Sequence, residues 1–281
     1  MAQYDPEVLR RLQLCELDIL KDFVKICEEN NLTYFGFAGT AIGAIRHGGF
    51  IPWDDDIDMG ILRSDYNTLK EIIKRDYSDK YTFVDAEEFD DYCVMNAHIV
   101  LNGTKFTEPC AKHSKFPKGI FLDIFPFDNA PSDEKEREKH IKKSWILSKL
   151  LILRHTPFPV LPFKKGIKPV LCHCVTACIW FLMNLFCLSH KKLHKMVYNH
   201  CTQYQKEDTG YIYYSCSSSK QGTVFHKDDF YPLRKISFEG VDLDFPNHVE
   251  KGLNRVYGDF MKLPPEEKRV NHCPDELVFP V

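Results

Sequence analysis

Between Phe50 and Gly60 the chain carries Asp54, Asp55, Asp56 and Asp58 within five positions, a density of carboxylate that a plain solvated loop does not require. If Asp56 to Met59 forms a strand, side chains alternate between faces: Asp56 and Asp58 share one face with Asp54 just outside it, while Ile57 and Met59 enter the core. Two such carboxylates about 5 Å apart repel by roughly 3 kcal/mol at an effective dielectric of about 20, which raises one pKa unless a cation sits between them. Magnesium, or manganese in its place, is the expected ion, because it takes oxygen ligands and leaves positions for water and phosphate. The alternative is an acidic turn surrounded by solvent.

The flanking segments show how such a site would be positioned. Leu32 to Phe37 reads as a short aromatic strand, and Ala38 to Arg46 as the start of a small-residue helix. Gly39 lets the backbone approach a ligand, Thr40 can cap the helix, and the N–H groups at its start suit a phosphate. Downstream, Asp123 interrupts the apolar run Ile120 to Phe125, where an unpaired carboxylate is costly. Converging on Asp56 and Asp58, it would supply a ligand or a general base; the alternative is an arginine or backbone N–H partner. Asp128, just after Pro126, reads as a turn or cap residue.

Gly39 to Asp58, with Gly119 to Asp128 and Tyr257 to Pro265, resembles the signature of the LicD family, to which fukutin-related proteins are also similar. The Gly-Thr turn followed by an Asp-x-Asp strand resembles the nucleotidyltransferase fold more broadly. The resemblance runs from about Leu12 to His272 and is weakest from 133 to 209. It implies an α+β fold, a nucleotidyltransferase-like mixed sheet flanked by helices, with a helical insertion. It further implies transfer of phosphocholine or a related phospho-polyol from a CDP-activated donor, CDP-choline or a CDP-polyol, to a hydroxyl of a cell-surface glycan, with release of CMP. Teichoic acid, lipopolysaccharide and capsule are the glycan classes in view. Asp56, Asp58 and Asp123 would be the catalytic carboxylates, with Asp54 as a further metal ligand, and Gly39 and Thr40 would cradle phosphate. Arg46 and His47 are cationic candidates for a donor phosphate, or else the ordinary basic end of a helix before Gly48 and Gly49. Trp53 could stack on a base or a choline headgroup, or cover the core. The tail would bring Tyr257, Asp259, Lys262 or Arg269 near the nucleotide, and His98 stands where a basic residue recurs in similar chains. Two other readings remain: attachment of NMP with release of pyrophosphate, and a catalytically silent assembly scaffold.

Composition limits the partners. The chain has 281 residues, 44% of them hydrophobic, with net charge −3, enough to bury a substantial core and without the basic excess of a nucleic-acid tracker. Eleven cysteines, an odd number, and no leader-like start predict a reducing cytoplasmic location, at the inner face of the membrane where the acceptor is lipid-linked. Cys172, His173, Cys174 and Cys178 lack the paired spacing of a zinc site. The expected division is a catalytic core over 1–132, a helical insertion over 133–209, and a C-terminal hairpin and helix over 210–281. Within it, helices are expected at Pro6 to Glu29, Ser64 to Arg75 with Ser64 as N-cap, Asp133 to Lys143, and His248 to Tyr257. Strands are expected at Tyr81 to Val84, Cys93 to Leu101 and Ile120 to Phe125. Two hairpins are predicted, one turning at Asn102-Gly103 into Thr104 to Thr107 and one at Glu239-Gly240. Val170 to Leu188 is an apolar run flanked by Lys164, Lys165 and Lys168 on one side and Lys191, Lys192 and Lys195 on the other. It reads as a buried helix or as a peripheral membrane contact.

Overall fold

The computed structural model describes residues 4–159, 161, 166–214 and 223–280. The first helix, α1 (Pro6–Glu29), begins where Asp5 accepts hydrogen bonds from the N–H groups of Glu7 and Val8, with Pro6 in the first turn. Its stripe of Leu9, Leu12, Leu20, Phe23, Val24 and Cys27 is buried, and so are two polar residues on the same helix, Gln13 and Glu16.

After α1 come β1 (Tyr34–Gly36), α2 (Ala38–His47), β2 (Asp58–Leu62), α3 (Arg63–Asp76), β3 (Tyr81–Val84), β4 (Ala97–Leu101), β5 (Lys105–Thr107) and β6 (Phe121–Ala130). The main sheet has the order β1-β2-β6-β4-β3. Strand β2 runs parallel to β6, and the other neighbours are antiparallel. The fold is thus α+β with a mixed sheet. Three helices follow, α4 (Glu134–His155), α5 (Ile167–Leu185) and α6 (His190–Cys201). Leu147, Leu151, Leu193 and Val197 from α4 and α6 share an apolar cluster with Val84, Tyr92 and Met95. The chain then returns as β7 (Tyr211–Tyr214) and β8 (Thr223–His226), the single turn α7 (Lys227–Phe230), the hairpin β9 (Arg234–Phe238) and β10 (Val241–Phe245), α8 (Val249–Tyr257) and β11 (Glu276–Val278). At the hairpin turn Glu239 and Gly240 both have positive φ, 51° and 80°, the conformation a two-residue turn between twisted strands demands.

Several local expectations are corrected. Asp128 is no turn residue: it lies within β6, fully buried, and receives Arg63 Nε and Nη2 at 2.9 and 2.8 Å. Strand β6 runs on through Pro126 because the ring sits where one edge changes partner, from β4 at Phe121–Ile124 to β7 at Asp128–Ala130. A residue without an N–H is tolerated at such a break in the ladder. The Asn102-Gly103 turn exists, with Gly103 at φ +79°, but β5 does not fold back on β4. Both edges of β4 are occupied by β3 and β6, and β5 pairs with β11. Helix α3 begins one residue before Ser64, with no side-chain cap, and the Ser64 hydroxyl donates to Asp65 instead. The apolar run around α5 is not a buried helix: of its nineteen residues only Met183 is buried. Lys164 and Lys165 lie outside the described residues.

Candidate active site

The parallel register of β2 and β6 sets Asp58 directly opposite Asp123. The residues flanking the two carboxylates, Ile57 just before β2 and Met59, Leu122 and Ile124 on the strands, are fully buried, so the alternation turns both carboxylates to the other face. Asp56 leads into β2 two residues earlier, and one oxygen from each of Asp56, Asp58 and Asp123 can be chosen so that all lie within 4.8 Å of one another. Burial first, and then the charges of Asp58, Asp54 and Asp123, push the Asp56 pKa well above the usual carboxylate range. Asp58 is raised by burial and by Asp123 and Asp54. Asp54 is pushed up to about 6 by burial and by Asp55. This set of oxygen donors, too repulsive to be fully ionised by itself, fits a hard divalent cation.

The first turn of α2 supports it. Phe37 occupies the cap position without a side-chain bond, so Thr40 is not the cap; its hydroxyl accepts the Asp58 N–H at 2.8 Å. The Gly39 N–H donates to Asp58 Oδ2 at 3.0 Å, so this helix start is aimed at a carboxylate of the chain itself. A Cβ on Gly39 would lie 2.9 Å from Asp54 Oδ2 and 3.3 Å from Asp58 Oδ2, which explains a glycine there. Asp123 is held through Oδ1, which accepts from Asn96 Nδ2 at 2.7 Å and lies 3.1 Å from His98 Nε2. His98 in turn stacks on Phe121 at 3.9 Å.

The remaining predicted residues fall in different places. Arg46 closes α2 by donating to the Phe260 carbonyl at 2.6 Å and to His47, which ties the C-terminal tail to the core. Burial and the neighbouring Arg46 lower the His47 pKa. The Trp53 ring is covered by the Arg269 guanidinium at 4.8 Å. Tyr257 keeps half its surface in solvent, yet burial of its hydroxyl and the charges of Asp58, Asp54 and Asp56 push its pKa up. Lys262 and Asp259 are exposed, and the bond between them runs from the Lys262 N–H to the Asp259 carbonyl.

Three more residues to which the sequence assigned no role of their own join the site. Asp55, buried among acids, accepts from Tyr4 and from the His272 backbone N–H. The His272 ring lies 3.2 Å from Asp55 and 3.6 Å from Asp56, and its pKa rises to about 9, chiefly through the bond to Asp55. Glu16, on the buried side of α1, leaves Oε2 without a hydrogen-bond partner; burial, then Asp55, Asp54 and Asp123, raise its pKa strongly. A carboxylate within an apolar helical stripe was the available signal.

Asp56 and Asp123 form part of the wall of a cavity of about 510 Å³, together with Tyr92, Phe116, Phe121, Asp91 and Glu108. Aromatic faces beside carboxylates suit a cationic headgroup, and the acidic end suits a metal-bound diphosphate.

A family model described as LicD/FKTN/FKRP, nucleotidyltransferase domain, matches residues 31–162. The lipopolysaccharide cholinephosphotransferase LicD of Haemophilus influenzae is 32% identical over 273 residues, covering 94% of this chain and 95% of that protein. An uncharacterized protein of Rickettsia prowazekii is 39% identical over 111 residues, 37% of this chain and 41% of its own length. The human ribitol 5-phosphate transferase FKRP is 37% identical over 49 residues, 17% of this chain and 10% of its own. With a likeness that spans nearly its full length and a domain match that contains Asp54, Asp56, Asp58 and Asp123, the chain belongs to the LicD family of phosphotransferases.

Proposed function

We propose that the protein transfers phosphocholine, or a related phospho-polyol, from a CDP-activated donor to a hydroxyl of a cell-surface glycan and releases CMP. The observation that carries this reading is the gathering of Asp56, Asp58 and Asp123 within 4.8 Å of one another, with Asp56 and Asp123 in the wall of a cavity that aromatic rings also line. The long likeness to a lipopolysaccharide cholinephosphotransferase supports phosphocholine as the group and a lipopolysaccharide-type glycan as the acceptor.

Asp56, Asp58 and Asp123 would hold a magnesium or manganese ion, with Asp54 beside them, and the ion would offset the negative charge of the donor diphosphate. The chain supplies the rest by positioning. Gly39 and Thr40 fix Asp58. Asn96 and His98 fix Asp123, which shares the ion or takes the proton of the acceptor hydroxyl. The hydroxyl oxygen forms its bond to the distal phosphorus as the bond to the bridging oxygen breaks, and CMP departs with that electron pair. Tyr92, Phe116 and Phe121 line the cavity, and aromatic rings there suit a quaternary ammonium; Trp53, under Arg269, is not among the lining residues. Ten described cysteines are free, in keeping with a reducing compartment and a reaction on the cytoplasmic side of a membrane.

The test is incubation with CDP-choline, CDP-ribitol and CDP-glycerol, with magnesium or with EDTA. CMP release from CDP-choline in magnesium and none in EDTA is expected. Pyrophosphate release from CTP with no CMP from any of the three donors would replace this reading with the nucleotidyltransferase one, which uses the same carboxylates.

A further inference from the structure

We infer that α5 is an in-plane membrane anchor that seats the protein on an anionic lipid surface, with the acidic cavity opening beside it. Val170, Leu171, Val175, Phe181, Leu182 and Leu185 recur at helical spacing along one face of α5, and each is between 47% and 64% exposed. A helix packed on a soluble core turns such a stripe inward; here it faces out. The opposite face is pinned to the protein along its length. His173 Nε2 lies 3.1 Å from the Pro159 carbonyl, the Trp180 Nε1–H donates to the Arg154 carbonyl at 3.2 Å, and Met183 is buried. An apolar patch of this extent marks a surface that another phase or partner covers.

The helix is long and apolar enough to cross a bilayer by length and composition alone. Crossing would carry His173, Trp180 and Met183 away from the contacts just described. Lying flat, the helix keeps them while its outer stripe enters the acyl boundary.

Charge identifies the occupant. The 68 residues from Lys139 to Lys206 contain twelve Lys and Arg and no Asp or Glu, in a chain whose net charge is −3. Lys168 stands in the first turn of α5, and exposed Lys191, Lys192 and Lys195 follow its C-terminus. A second copy of this chain would bring an equally basic face against it and be repelled. Anionic headgroups complement it.

The placement bears on the reaction. Pro159, whose carbonyl meets His173, also lines the cavity that holds Asp56 and Asp123, as do Ile152 and Thr156 near the end of α4. A glycan carried on lipid would reach the carboxylates from the surface on which the protein sits. Docking holds whichever group is transferred; only this route rests on the function proposed above.

The full chain is tested by co-sedimentation with phosphatidylcholine vesicles containing or lacking about a third phosphatidylglycerol, beside the triple variant Leu171→Ser, Phe181→Ser, Leu185→Ser and the double variant Lys191→Glu, Lys192→Glu. The native chain should partition onto anionic vesicles, weaken severalfold as salt rises from 0.1 to 0.5 M, and be released at alkaline pH. The triple variant should lose at least tenfold in partitioning with an unchanged thermal midpoint, and the double variant should lose its preference for anionic lipid. Failure of the native chain to bind vesicles, equal binding by the triple variant, or resistance to alkaline release would each overturn the inference. So would a concentration-dependent dimer that the triple variant abolishes, if the native chain does not bind vesicles.

Discussion

Two regions of this molecule treat charge in opposite ways. In the sheet, carboxylates are drawn into a partly buried cluster where strand register sets Asp58 against Asp123 and hydrogen bonds from Gly39, Asn96 and Tyr4 hold individual oxygens of Asp58, Asp123 and Asp55. In the helical region from Lys139 to Lys206 there is no Asp or Glu at all, and the apolar stripe of α5 points outward. In the first region strand register fixes the spacing of like charges, and their repulsion is relieved by raised carboxylate pKa values or, as proposed above, by a bound cation. In the second, the apolar stripe of α5 lies exposed, a surface that the docking inferred above would cover. Both regions carry a cost in the isolated chain, repulsion in one and exposed hydrocarbon in the other, and in both that cost points to something the protein binds.

The largest effect is expected at the acidic cluster. Asp58→Asn should lower CMP release by about a thousandfold, a loss of roughly 4 kcal/mol of transition-state stabilisation. Its thermal midpoint in EDTA should hold or rise as repulsion is relieved, and magnesium should raise the midpoint of the native chain but not that of the variant. Undiminished turnover would remove Asp58 from the metal site. The buried ion pair provides the contrasting case: Asp128→Ala leaves the Arg63 guanidinium without its carboxylate, beside the Tyr66 and Tyr198 rings, and should cost about 3–5 kcal/mol in urea unfolding, with less loss for Asp128→Asn. A cost below about 1 kcal/mol would mean that Arg63 escapes to water.

Gly43→Ala tests the packing that holds α2 beneath the site. The new Cβ would meet the Gly49 carbonyl oxygen at 2.4 Å, a backbone atom that cannot rotate away, and a loss of about 1–3 kcal/mol is expected by the same unfolding measurement. The smallest effect concerns acid stability of the helical region. His140 is lowered to about 4 by burial and by His200, and burial lowers His200 too. Both are held neutral in the fold, so the unfolded chain gains protons that the folded chain refuses as pH falls from about 6.5 toward 4, and stability is lost in that window. Hydrogen exchange of α4 and α6 amides should accelerate there before that of β2 and β6; simultaneous loss would show that the two regions unfold as one.

Much of the architecture was legible because it depends on local periodicity. The alternation around Ile57 and Met59, the span of α1, the Glu239-Gly240 turn and the run of strand β3 all follow from rules that reach only a few residues. The errors came where distant chain competed for the same atoms. β5 found β11 because β4 had no free edge, and Asp128 found Arg63 from 65 residues away; Ser64 was the local exception, its hydroxyl donating to the adjacent Asp65 once α3 started at Arg63. His272 and Glu16 carried little local signal, since their meaning comes from proximity to acids elsewhere in the chain.

Residue type and spacing alone pointed to a dense acidic run entering a strand, a glycine-threonine turn before it and an apolar run between lysines; the strand itself starts at Asp58, two residues later than the alternation suggested. Only the tertiary structure decided that Asp58 and Asp123 are direct neighbours, that the tail caps Asp55, and that the apolar face of α5 looks outward. The physical reason is range. Alternation and helical periodicity are set within one turn or pleat, whereas strand register and helix orientation are settled by which distant surfaces exclude water together.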